Sequence, residues 1–442
     1  MELPFQIAEM LERLERAGFS AFVVGGCVRD ALMGMQPRDY DITTSALPRE
    51  TERVFSDCRV IETGVKHGTV TVLYKGQSVE ITTFRVDGEY ADGRHPSSVT
   101  FSREVGDDLS RRDFTMNGIA YSPKTGVIDP FGGAGDIGSR MIRCIGDPGR
   151  RFSEDALRIL RALRFSATLG FAVEKQTADT ITARAKDLHK VSAERVFSEL
   201  KLLLCGSGVK RVLLEFPSVF AEIMPPLAEQ IGYEQGSRYH DSTLYEHTAR
   251  AVEAAPAEPA LRLAMLLHDT GKPFCRTVGE DGECHYYGHA EKSREIADGL
   301  LRTLKCDNVL RERVCAIIKR HDMPAEPSRR IVKRRLSQYG SELFRDIMCA
   351  QIADSSAQSA LGRPRIENAK KCLETAEEII SAKPCLTLKE LAVSGRDLKD
   401  MVPPSPLMGR VLSELLAEVV AEKLPNEKNA LLERAKALIS SL

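Results

Sequence analysis

The chain has 442 residues, 43% of them hydrophobic and 28% charged, with a formal net charge of −1. This balance of hydrophobic and charged residues excludes a disordered chain. No run approaches the roughly 18 apolar residues that a membrane span needs. The first twenty residues also lack the continuous apolar stretch of a signal peptide. Eleven cysteines without a CxxC pair exclude a zinc ribbon or a disulfide scaffold, so we expect a cytoplasmic protein with no membrane association and no disulfide-linked partner.

The first part of the chain alternates predicted helices with predicted strands. Residues 1–20 have helical spacing, AFVVGG is typical of a buried strand that ends in a Gly-Gly turn, and CVRDALMG is typical of a following helix. Three later stretches are rich in Val, Ile and Thr and are predicted to be strands of one mixed sheet: RDYDITTS, RVIETGVKHGTVTVLYKGQSVEITTFRV and SVTF. Residues 87–98, rich in Gly and Asp, are predicted to form a mobile loop.

From about Arg140 onward the apolar period is helical. The predicted fold class is therefore α+β, with a small mixed-sheet head followed by an all-helical remainder. Proline-rich stretches at 225–226, 254–260 and 403–406 are candidate joints. We predict four parts: a head at 1–140, a neck at 141–205, a body at 206–356 and a tail at 357–442.

Because the net charge is close to zero, any nucleic-acid binding must come from local basic patches. Aromatic residues make up only 6% of the chain and tryptophan is absent, which favours contacts to the phosphates and shape of folded RNA over base stacking. Two such basic patches stand out. One comprises Arg143, Arg150, Arg151, Arg158, Arg161 and Arg164, and the other comprises Arg329, Arg330, Lys333, Arg334 and Arg335. The alternative interpretation of both patches is that they are solvated helix faces.

Two carboxylates, Asp39 and Asp41, lie two positions apart in a predicted strand, where alternate side chains share a face. Such a pair is able to hold Mg²⁺ for phosphoryl transfer, and Glu80 offers a third carboxylate from another strand. A lone DxD is also typical of a solvated strand end, so the pair needs support from the residues around it.

That support lies upstream, in the Gly25-Gly26 turn at the start of a helix. Residues without side chains let phosphates approach the backbone N–H groups and the positive helix end. Arg29, one turn into this helix, faces the same anion, and Arg111 and Arg112 add two more guanidinium groups for a triphosphate or sugar.

A second motif has a residue pattern suited to choosing a base. Asp155 and Arg158 are three residues apart, so they are neighbours on a helix. Cytosine and adenine both present an amino donor next to a ring-nitrogen acceptor; a carboxylate accepts from the first and a guanidinium donates to the second. Uracil and guanine present an acceptor and a donor in the reverse order, so they do not match the same two side chains. The alternative interpretation is an acidic first turn followed by a solvated arginine stripe.

Four histidines stand out in the helical middle of the chain: His247, His268, His289 and His321. A lone histidine on an apolar helix is usually structural. His268 is followed directly by Asp269 at the end of an apolar run, which sets this doublet apart.

Taken in order, six motifs resemble the class II tRNA nucleotidyltransferase and bacterial poly(A) polymerase family over roughly the first 205 residues: GGCVRD, RDYD, ETGVKHGTV, EITTFR, DLSRRDFTMN and EDALRILRALRF. The segments LAVSGRDLKDM and LPNEKNALLERA resemble the tail of its CCA-adding members. One departure is Gly118, where the family pattern has Ala.

The resemblance implies template-independent addition of CCA to the 3′ end of tRNA from CTP and ATP, with release of pyrophosphate and with Mg²⁺ as cofactor. It also implies the site residues. Asp39 and Asp41 are the expected Mg²⁺ ligands, Gly26, Arg29 and Arg112 contact the nucleotide, and Asp155 with Arg158 forms a protein template that Arg161 and Arg164 continue toward the phosphates.

The His268-Asp269-Thr-Gly-Lys segment resembles the HD phosphohydrolase superfamily, and Asp354 resembles its closing aspartate. This second resemblance implies a site for another divalent transition metal, formed by His247, His268, Asp269 and Asp354. Three alternatives to CCA addition remain: a poly(A) polymerase, an HD-type phosphohydrolase with a vestigial head, and a non-catalytic RNA-binding module.

Overall fold

The structure, a computed structural model, describes residues 1–88, 98–280, 282–402 and 405–441. Its contacts divide the chain into two units, Met1–Pro225 and Pro226–Leu442. The predicted change from a mixed-sheet head to a helical remainder is confirmed. The finer division at 140, 205 and 356 stays a prediction.

A seven-stranded mixed sheet organises the first unit. The strands run in the order β3-β4-β5-β2-β1-β8-β9, with β2 and β5 parallel and the other pairs antiparallel. Burial alternates along β4 and β5 because every second side chain faces the core. The strands are β1 Ala21–Val24, β2 Asp41–Thr44, β3 Arg59–Gly64, β4 Thr69–Tyr74, β5 Gln77–Thr83, β8 Ala120–Ser122 and β9 Gly126–Ile128.

Two sequence predictions about these strands are wrong in detail. β2 begins at Asp41, so Asp39 precedes the strand and does not share its pleat. The SVTF stretch is not part of the main sheet, because β7 (Val99–Phe101) pairs only with β6 (Arg85–Asp87) in a separate two-stranded sheet. The predicted mobile loop connects these two strands, and its residues 89–97 lie outside the described part of the chain.

Helices surround the sheet and complete the first unit. Helix α1 packs through Ile7, Met10, Leu11 and Leu14, an i, i+3, i+4, i+7 stripe. The helices are α1 Phe5–Arg16, α2 Gly26–Leu32, α3 Pro48–Val54, α4 Val105–Ser110, α5 Gly133–Gly138, α6 Pro148–Glu154, α7 Leu157–Leu169, α8 Lys175–Ala183, α9 Ala193–Leu204, α10 Val209–Glu215 and α11 Pro217–Ile223. Short strands β10 (Met141–Ile142) and β11 (Ala172–Val173) pair in parallel.

The space beside Gly118, the departure from the family pattern, is filled by another residue. A Cβ at this position would lie 2.7 Å from Cδ1 of Ile145. The glycine therefore does not loosen the local packing, because the isoleucine occupies the volume of the missing methyl group.

The second unit is helical apart from a small hairpin, β12 (Thr277–Val278) and β13 (Cys284–His285). Helix α16 is broken at Gly340, whose φ of 76° lies in the region that favours glycine. Among the described residues, none of the helices combines the length and hydropathy that a bilayer span needs. The helices are α12 Leu244–Ala254, α13 Pro259–Leu267, α14 His289–Thr303, α15 Asn308–Ile318, α16 Arg329–Ala357, α17 Arg363–Ser381, α18 Gly395–Leu398, α19 Pro406–Val420 and α20 Lys428–Ser441.

Candidate active site

Carboxylates from two neighbouring strands meet in the central sheet. Asp41, the first residue of β2, is paired in register with Glu80 of the parallel strand β5. Burial and then the charge of Glu80 raise the pKa of Asp41, although Arg112 acts in the opposite direction and Asp39 adds to the rise. Acidic groups that repel each other in this way fit a divalent cation, which supplies the missing positive charge.

The turn between β1 and α2 accommodates a guanidinium because Gly25 has no side chain. Its φ is 81°, and a Cβ there would lie 2.9 Å from Nη1 of Arg112. Arg112 is itself held by the fully buried Asp108, whose Oδ2 lies 3.3 Å from its Nη2. The same carboxylate accepts hydrogen bonds from Arg111 at 2.7 Å and from Thr43 at 3.1 Å. Asp108 therefore orients both arginines.

A hydrogen-bonded chain runs from α2 to α7 across the interior. Arg29 donates from Nη1 to Asn117 at 2.9 Å, and its guanidinium lies 5.1 Å from the ring centre of Phe165. Asn117 donates to Oδ1 of Asp113 at 3.0 Å, and Arg161 donates to Oδ2 of Asp113 from Nε and Nη2 at 2.8 and 2.7 Å. This chain fixes Arg29 and Arg161 relative to each other.

The buried Asp113 gives the first unit an acid-sensitive contact. Burial alone raises its pKa, but the charge of Arg161 and the Asn117 hydrogen bond outweigh burial and lower the pKa to about 2. A carboxyl group whose pKa is depressed by folding stabilises the folded state above its unfolded pKa, and this contribution is lost as the pH falls toward the folded pKa.

We expect Asp113→Asn to lower the free energy of unfolding at neutral pH by about 2 kcal/mol, because a shift of roughly two pKa units corresponds to that amount. The difference from the parent should shrink as the pH falls from about 4 to about 2. Denaturant unfolding of the parent and of Asp113→Asn at about pH 6 and about pH 2.5 measures this difference in the free energy of unfolding. Asp179→Asn, at an exposed position on α8, is the control. A difference that is the same at both pH values would contradict the assignment.

The two base-selecting candidates do not lie on one continuous helix. Helix α6 ends at Glu154, Asp155 is extended with φ −149°, and α7 begins at Leu157, whose N–H donates to Oδ1 of Asp155 at 3.0 Å. The carboxylate of Asp155 accepts from Arg195 at 2.7 and 3.4 Å. The expectation that Asp155 and Arg158 are neighbours on one helix is therefore wrong.

Arg158 has other partners. Its Nη1 donates to Oε2 of Glu154 at 2.7 Å and to the carbonyl of Arg151 at 3.2 Å, and its Nη2 donates to the carbonyl of Arg111 at 3.0 Å. Three of its five N–H groups are thus engaged, which leaves two donors among the described contacts. Asp155 and Arg158 remain adjacent, since the Arg158 N–H donates to the Asp155 carbonyl at 3.0 Å.

The arginines of α7 do not form a solvated stripe. The side chains of Arg158 and Arg164 are 11% and 17% exposed. Arg164 donates to Glu199 on α9 at 2.5 Å and its guanidinium lies 4.0 Å from the ring centre of Phe165. The solvated-face interpretation of these positions is therefore wrong, whereas Arg150, 76% exposed, fits it.

Sequence reasoning missed several residues that hold the predicted ones: Asp108, Asn117, Glu154, Arg195 and Glu199. A local signal existed for two of them, because Asp108 and Glu154 each precede an arginine by four residues, the spacing of helical neighbours. Arg195 and Glu199 lie 40 and 35 residues from their partners, and no local pattern marks them.

In the second unit, the predicted histidines converge on the buried Asp269. Nε2 of His268 lies 3.1 Å and Nε2 of His247 3.5 Å from Oδ2 of Asp269. Oδ1 of Asp354 lies 3.0 Å from Nε2 of His247 and 3.6 Å from that of His268. The four predicted metal-binding residues are therefore brought together, and His289 and His321 lie on the other side of Asp269.

The chemistry of this cluster fits a metal ion. Both carboxylate oxygens of Asp269 are buried; Oδ2 pairs with Nζ of Lys272 at 2.7 Å, whereas Oδ1 accepts no hydrogen bond within the described residues. Burial lowers the pKa of His268, but the charges of Asp269 and Asp354 outweigh burial and raise it to about 10. Histidine and carboxylate are ligands of divalent transition metals, and such a cation relieves buried, unsatisfied acceptors.

The basic patch at 329–335 is smaller than the sequence suggests. Lys333 is buried and its Nζ lies 3.0 Å from Oε1 of Glu422, and the buried Arg335 donates to the carbonyl of Pro324 at 2.8 Å. Both residues are only 7% exposed. Arg329, Arg330 and Arg334 are exposed and form what remains of the patch.

Three family descriptions match the chain. Residues 21–143 match the poly A polymerase head domain, residues 170–228 match the RNA and SrmB-binding site of polymerase A, and residues 288–435 match tRNA nucleotidyltransferase domain 2. The first match spans the strands that carry Asp41 and Glu80 together with Gly25 and Arg112.

Curated relatives cover nearly all of the chain. A CCA-adding enzyme of Limosilactobacillus fermentum is 33% identical over 434 residues, 98% of this chain and 96% of that protein. A CCA-adding enzyme of Geobacillus thermodenitrificans is 46% identical over 232 residues, 52% of this chain and 57% of that protein.

Solved structures are similar over the same length. The CCA-adding enzyme of Bacillus stearothermophilus in complex with CTP has a TM-score of 0.76 and 31% identity, with all of both chains covered. The Thermotoga maritima CCA-adding enzyme complexed with tRNA has a TM-score of 0.61 at 18% identity, a likeness of fold. With its head motifs, its full-length relatives and its fold in agreement, this chain belongs to the family of CCA-adding enzymes, which are nucleotidyltransferases.

Proposed function

We propose that this chain adds C, C and A to the 3′ end of tRNA, taking the nucleotides from CTP and ATP and releasing pyrophosphate, in the cytoplasm. In each step the 3′ hydroxyl oxygen of the RNA forms a bond to the α-phosphorus. The bond from that phosphorus to the leaving pyrophosphate breaks.

One observation carries this proposal. Asp41 and Glu80 are brought side by side by strand register, and Arg112 is close enough to act on the charge of Asp41. A site for a nucleoside triphosphate needs acidic groups that bind a cation and a guanidinium group that contacts the phosphates. Gly25 lets the Arg112 guanidinium lie against this turn, and Gly26 follows it at the start of α2.

The residues that would hold Mg²⁺ are Asp39 and Asp41, with Glu80 as the third carboxylate. Bound there, the cation supplies charge neutralisation of the triphosphate and lowers the pKa of the attacking hydroxyl group. Arg112 and Arg29 would contact the nucleotide, and Asp108 and Asn117 keep these two side chains in place.

Base selection is assigned to Asp155 and Arg158. The carboxylate of Asp155 retains acceptor capacity beside Arg195, and Arg158 retains two N–H donors. One acceptor and one donor next to each other match the edges of cytosine and adenine. Arg161 and Arg164, fixed by Asp113 and Glu199, would continue the site toward the nucleotide and its phosphates.

For the RNA, we assign the exposed basic side chains to phosphate contacts. In the second unit, the residues assigned to phosphate contacts are Arg329, Arg330 and Arg334. Lys333 and Arg335 are not included because they are buried. The division into head, neck, body and tail is kept as part of this proposal, with the tail binding tRNA.

A poly(A) polymerase shares the head, but two observations favour CCA addition. The full-length relatives carry the name CCA-adding enzyme, and the match to tRNA nucleotidyltransferase domain 2 reaches residue 435, within the tail. The head also retains its buried support residues Asp108 and Asp113, which a vestigial head or a purely RNA-binding module has no reason to keep.

The test is a product-sizing assay. The chain is incubated with tRNA that lacks its last three nucleotides, with labelled CTP, with ATP, or with both. Three additions support the proposal, two additions restrict the enzyme to CC addition, and a long adenylate ladder favours the poly(A) alternative and overturns it.

A second candidate function belongs to the second unit. We propose that His247, His268, Asp269 and Asp354 bind a divalent transition metal and that this unit hydrolyses a phosphate ester. The convergence of His247, His268 and Asp354 on the buried Asp269, whose Oδ1 accepts no hydrogen bond within the described residues, favours it. Asp269 and Asp354 line a cavity of about 300 Å³, and Lys272 and Arg365 add positive charge to its lining, which suits a phosphate group.

We expect His268→Ala to lower the bound transition metal to background while CCA addition stays within about twofold of the parent, because the nucleotide site is built from other residues. Metal analysis after reloading and the product-sizing assay are read together. His189→Ala, a 62% exposed histidine of the first unit, is the control and should retain the metal. Unchanged metal content in His268→Ala would remove the site.

A further inference from the structure

A cleft in the second unit lies where two separate hydrophobic clusters meet. One cluster is shared by α16 and α17 and contains Leu336 and Cys372. The other is enclosed by α18, α19 and α20 and contains Leu398, Leu415 and Leu431. Between them, α16 and α19 leave a cleft of about 710 Å³. Its size lies within the range of about 300–1,000 Å³ that is typical of small-molecule sites.

The apolar part of this cleft is aliphatic. It is lined by Ile331 of α16, by Leu416, Ala417 and Val420 of α19, and by the exposed Leu388. Among the described residues that line the cleft, none is aromatic. Proteins usually hold an unpaired nucleobase by stacking it on an aromatic ring. The lining therefore suits an alkyl group better than a base.

Two arginines give the cleft a positive charge. Arg330 and Arg334 lie one helical turn apart on α16, are exposed and line the cleft. Neither guanidinium makes a hydrogen bond or an ion pair with another described residue, whereas the neighbouring Lys333 pairs with Glu422 at 3.0 Å. No acidic residue is among the described residues of the lining. An anion is therefore attracted to this side of the cleft.

The other polar groups of the lining leave the recognition of charge to these arginines. The hydroxyl group of Ser337 donates to the carbonyl of Leu386 at 2.6 Å, and that of Ser413 donates to the carbonyl of Gly409 at 2.9 Å. Ser328, the residue before α16, also lines the cleft, and its side chain makes no capping hydrogen bond. The positive end of the helix therefore adds to the charge of the two guanidinium groups.

We propose that this cleft binds a small amphipathic anion, an alkyl chain that ends in a carboxylate or phosphate. The chain lies along Ile331, Leu416 and Val420, and the head group lies against Arg330 and Arg334, whose N–H groups match its oxygens. The same two arginines are assigned above to tRNA phosphates. In this one respect the inference rests on the proposed function: the bound anion competes with tRNA for the two guanidinium groups.

Isothermal titration calorimetry of the intact chain, without tRNA or nucleotides, tests the site. The titrants are octanoate below its micelle concentration, octanol as the same chain without charge, and acetate as the head group alone. Ala417→Phe fills the cleft from α19, and Ala437→Phe, at an exposed position of α20 outside the lining, is its control. Arg334→Gln removes one guanidinium, and Arg329→Gln, on the same helix and outside the lining, is its control. Circular dichroism checks the fold of each variant.

We expect one octanoate per chain in the parent and in both controls. Octanol and acetate should bind at least about tenfold more weakly, because each lacks one half of the contacts. Ala417→Phe and Arg334→Gln should each weaken octanoate binding by about tenfold or more. No binding to the parent, equal affinity for octanol, or undiminished octanoate binding in folded Ala417→Phe or Arg334→Gln would each overturn the proposal.

Filter binding of tRNA to the parent tests the competition separately. Saturating octanoate should lower the affinity for tRNA by about three- to tenfold, because two phosphate contacts are lost. Unchanged affinity would overturn the competition. A parent that binds octanoate but no tRNA would contradict the proposed function and support the cleft. If octanoate does not bind and Ala417→Phe weakens tRNA binding instead, the cleft belongs to the RNA and the proposal is wrong.

Discussion

Asp41→Asn is expected to abolish nucleotide addition while the chain stays folded. Asp41 is the first residue of β2, and its pKa is raised by burial and by Glu80, so the folded chain gains little from its charge. A cation held there would be lost with the carboxylate. Metal-ion stabilisation of the transition state amounts to several kcal/mol, which corresponds to a loss of about a thousandfold or more in rate.

Incorporation of labelled CTP measures this loss, and thermal unfolding checks the fold. The control is Glu12→Gln, a carboxylate of α1 that is 55% exposed and pairs with Arg16 in the same helix, where substitutions change little. Removing the repulsion with Glu80 should leave the melting temperature of Asp41→Asn equal to or above that of the parent. Incorporation within tenfold of the parent would remove Asp41 from the metal site.

Arg158→Ala is expected to weaken the use of CTP and ATP and to admit UTP and GTP. One bidentate base contact contributes about 1–3 kcal/mol of discrimination, so the preference for CTP over UTP should fall by about ten- to a hundredfold. The comparison requires kcat/KM for both nucleotides. Arg158 also bridges Glu154 and the carbonyl of Arg111, so the melting temperature is measured alongside.

Arg150→Ala is the matched control, because Arg150 lies in the same segment and also pairs with Glu154 but is 76% exposed. It should keep the parent's nucleotide preference. A second comparison, Arg195→Ala, removes the partner of Asp155 without removing either base-reading group. If Arg158→Ala retained the preference for CTP over UTP, the protein-template assignment would be wrong. The role of Arg158 would then be to stabilise the junction between α6 and α7.

The regular parts of the fold were accessible from periodicity alone. The strand at Ala21–Val24, the helix after the Gly-Gly turn and the alternation around Glu80 follow from local patterns, since each reflects the side that faces the core. The convergence of the histidines required the resemblance as well, because residues as far apart as His247 and Asp354 meet only through helix packing.

What the sequence did not reveal depends on contacts between distant residues. Helical spacing continues from 148 to 169, so the break at Asp155 was hidden, although an aspartate before an apolar run is a typical helix start. The contact between Asp155 and Arg195 of α9 had no local signal either, because the two residues are 40 positions apart. Likewise, the buried Lys333 and Arg335 look like surface charge until their partners, Glu422 and the carbonyl of Pro324, are known.

The parallel pairing of β2 with β5 has a consequence for how such a chain tolerates insertions and deletions over evolution. Asp41 and Glu80 are separated in sequence by α3, β3 and β4, yet they meet because Ile42 pairs with Ile81 in the adjacent register position. Residues added between α3 and β3 leave this register untouched. One residue added or removed within β5 moves every later side chain to the opposite face, and Glu80 is then replaced opposite Asp41 by a core residue such as Val79 or Ile81. Length changes are therefore expected to accumulate at 56–58, after the buried Phe55, and to be eliminated from 77–83.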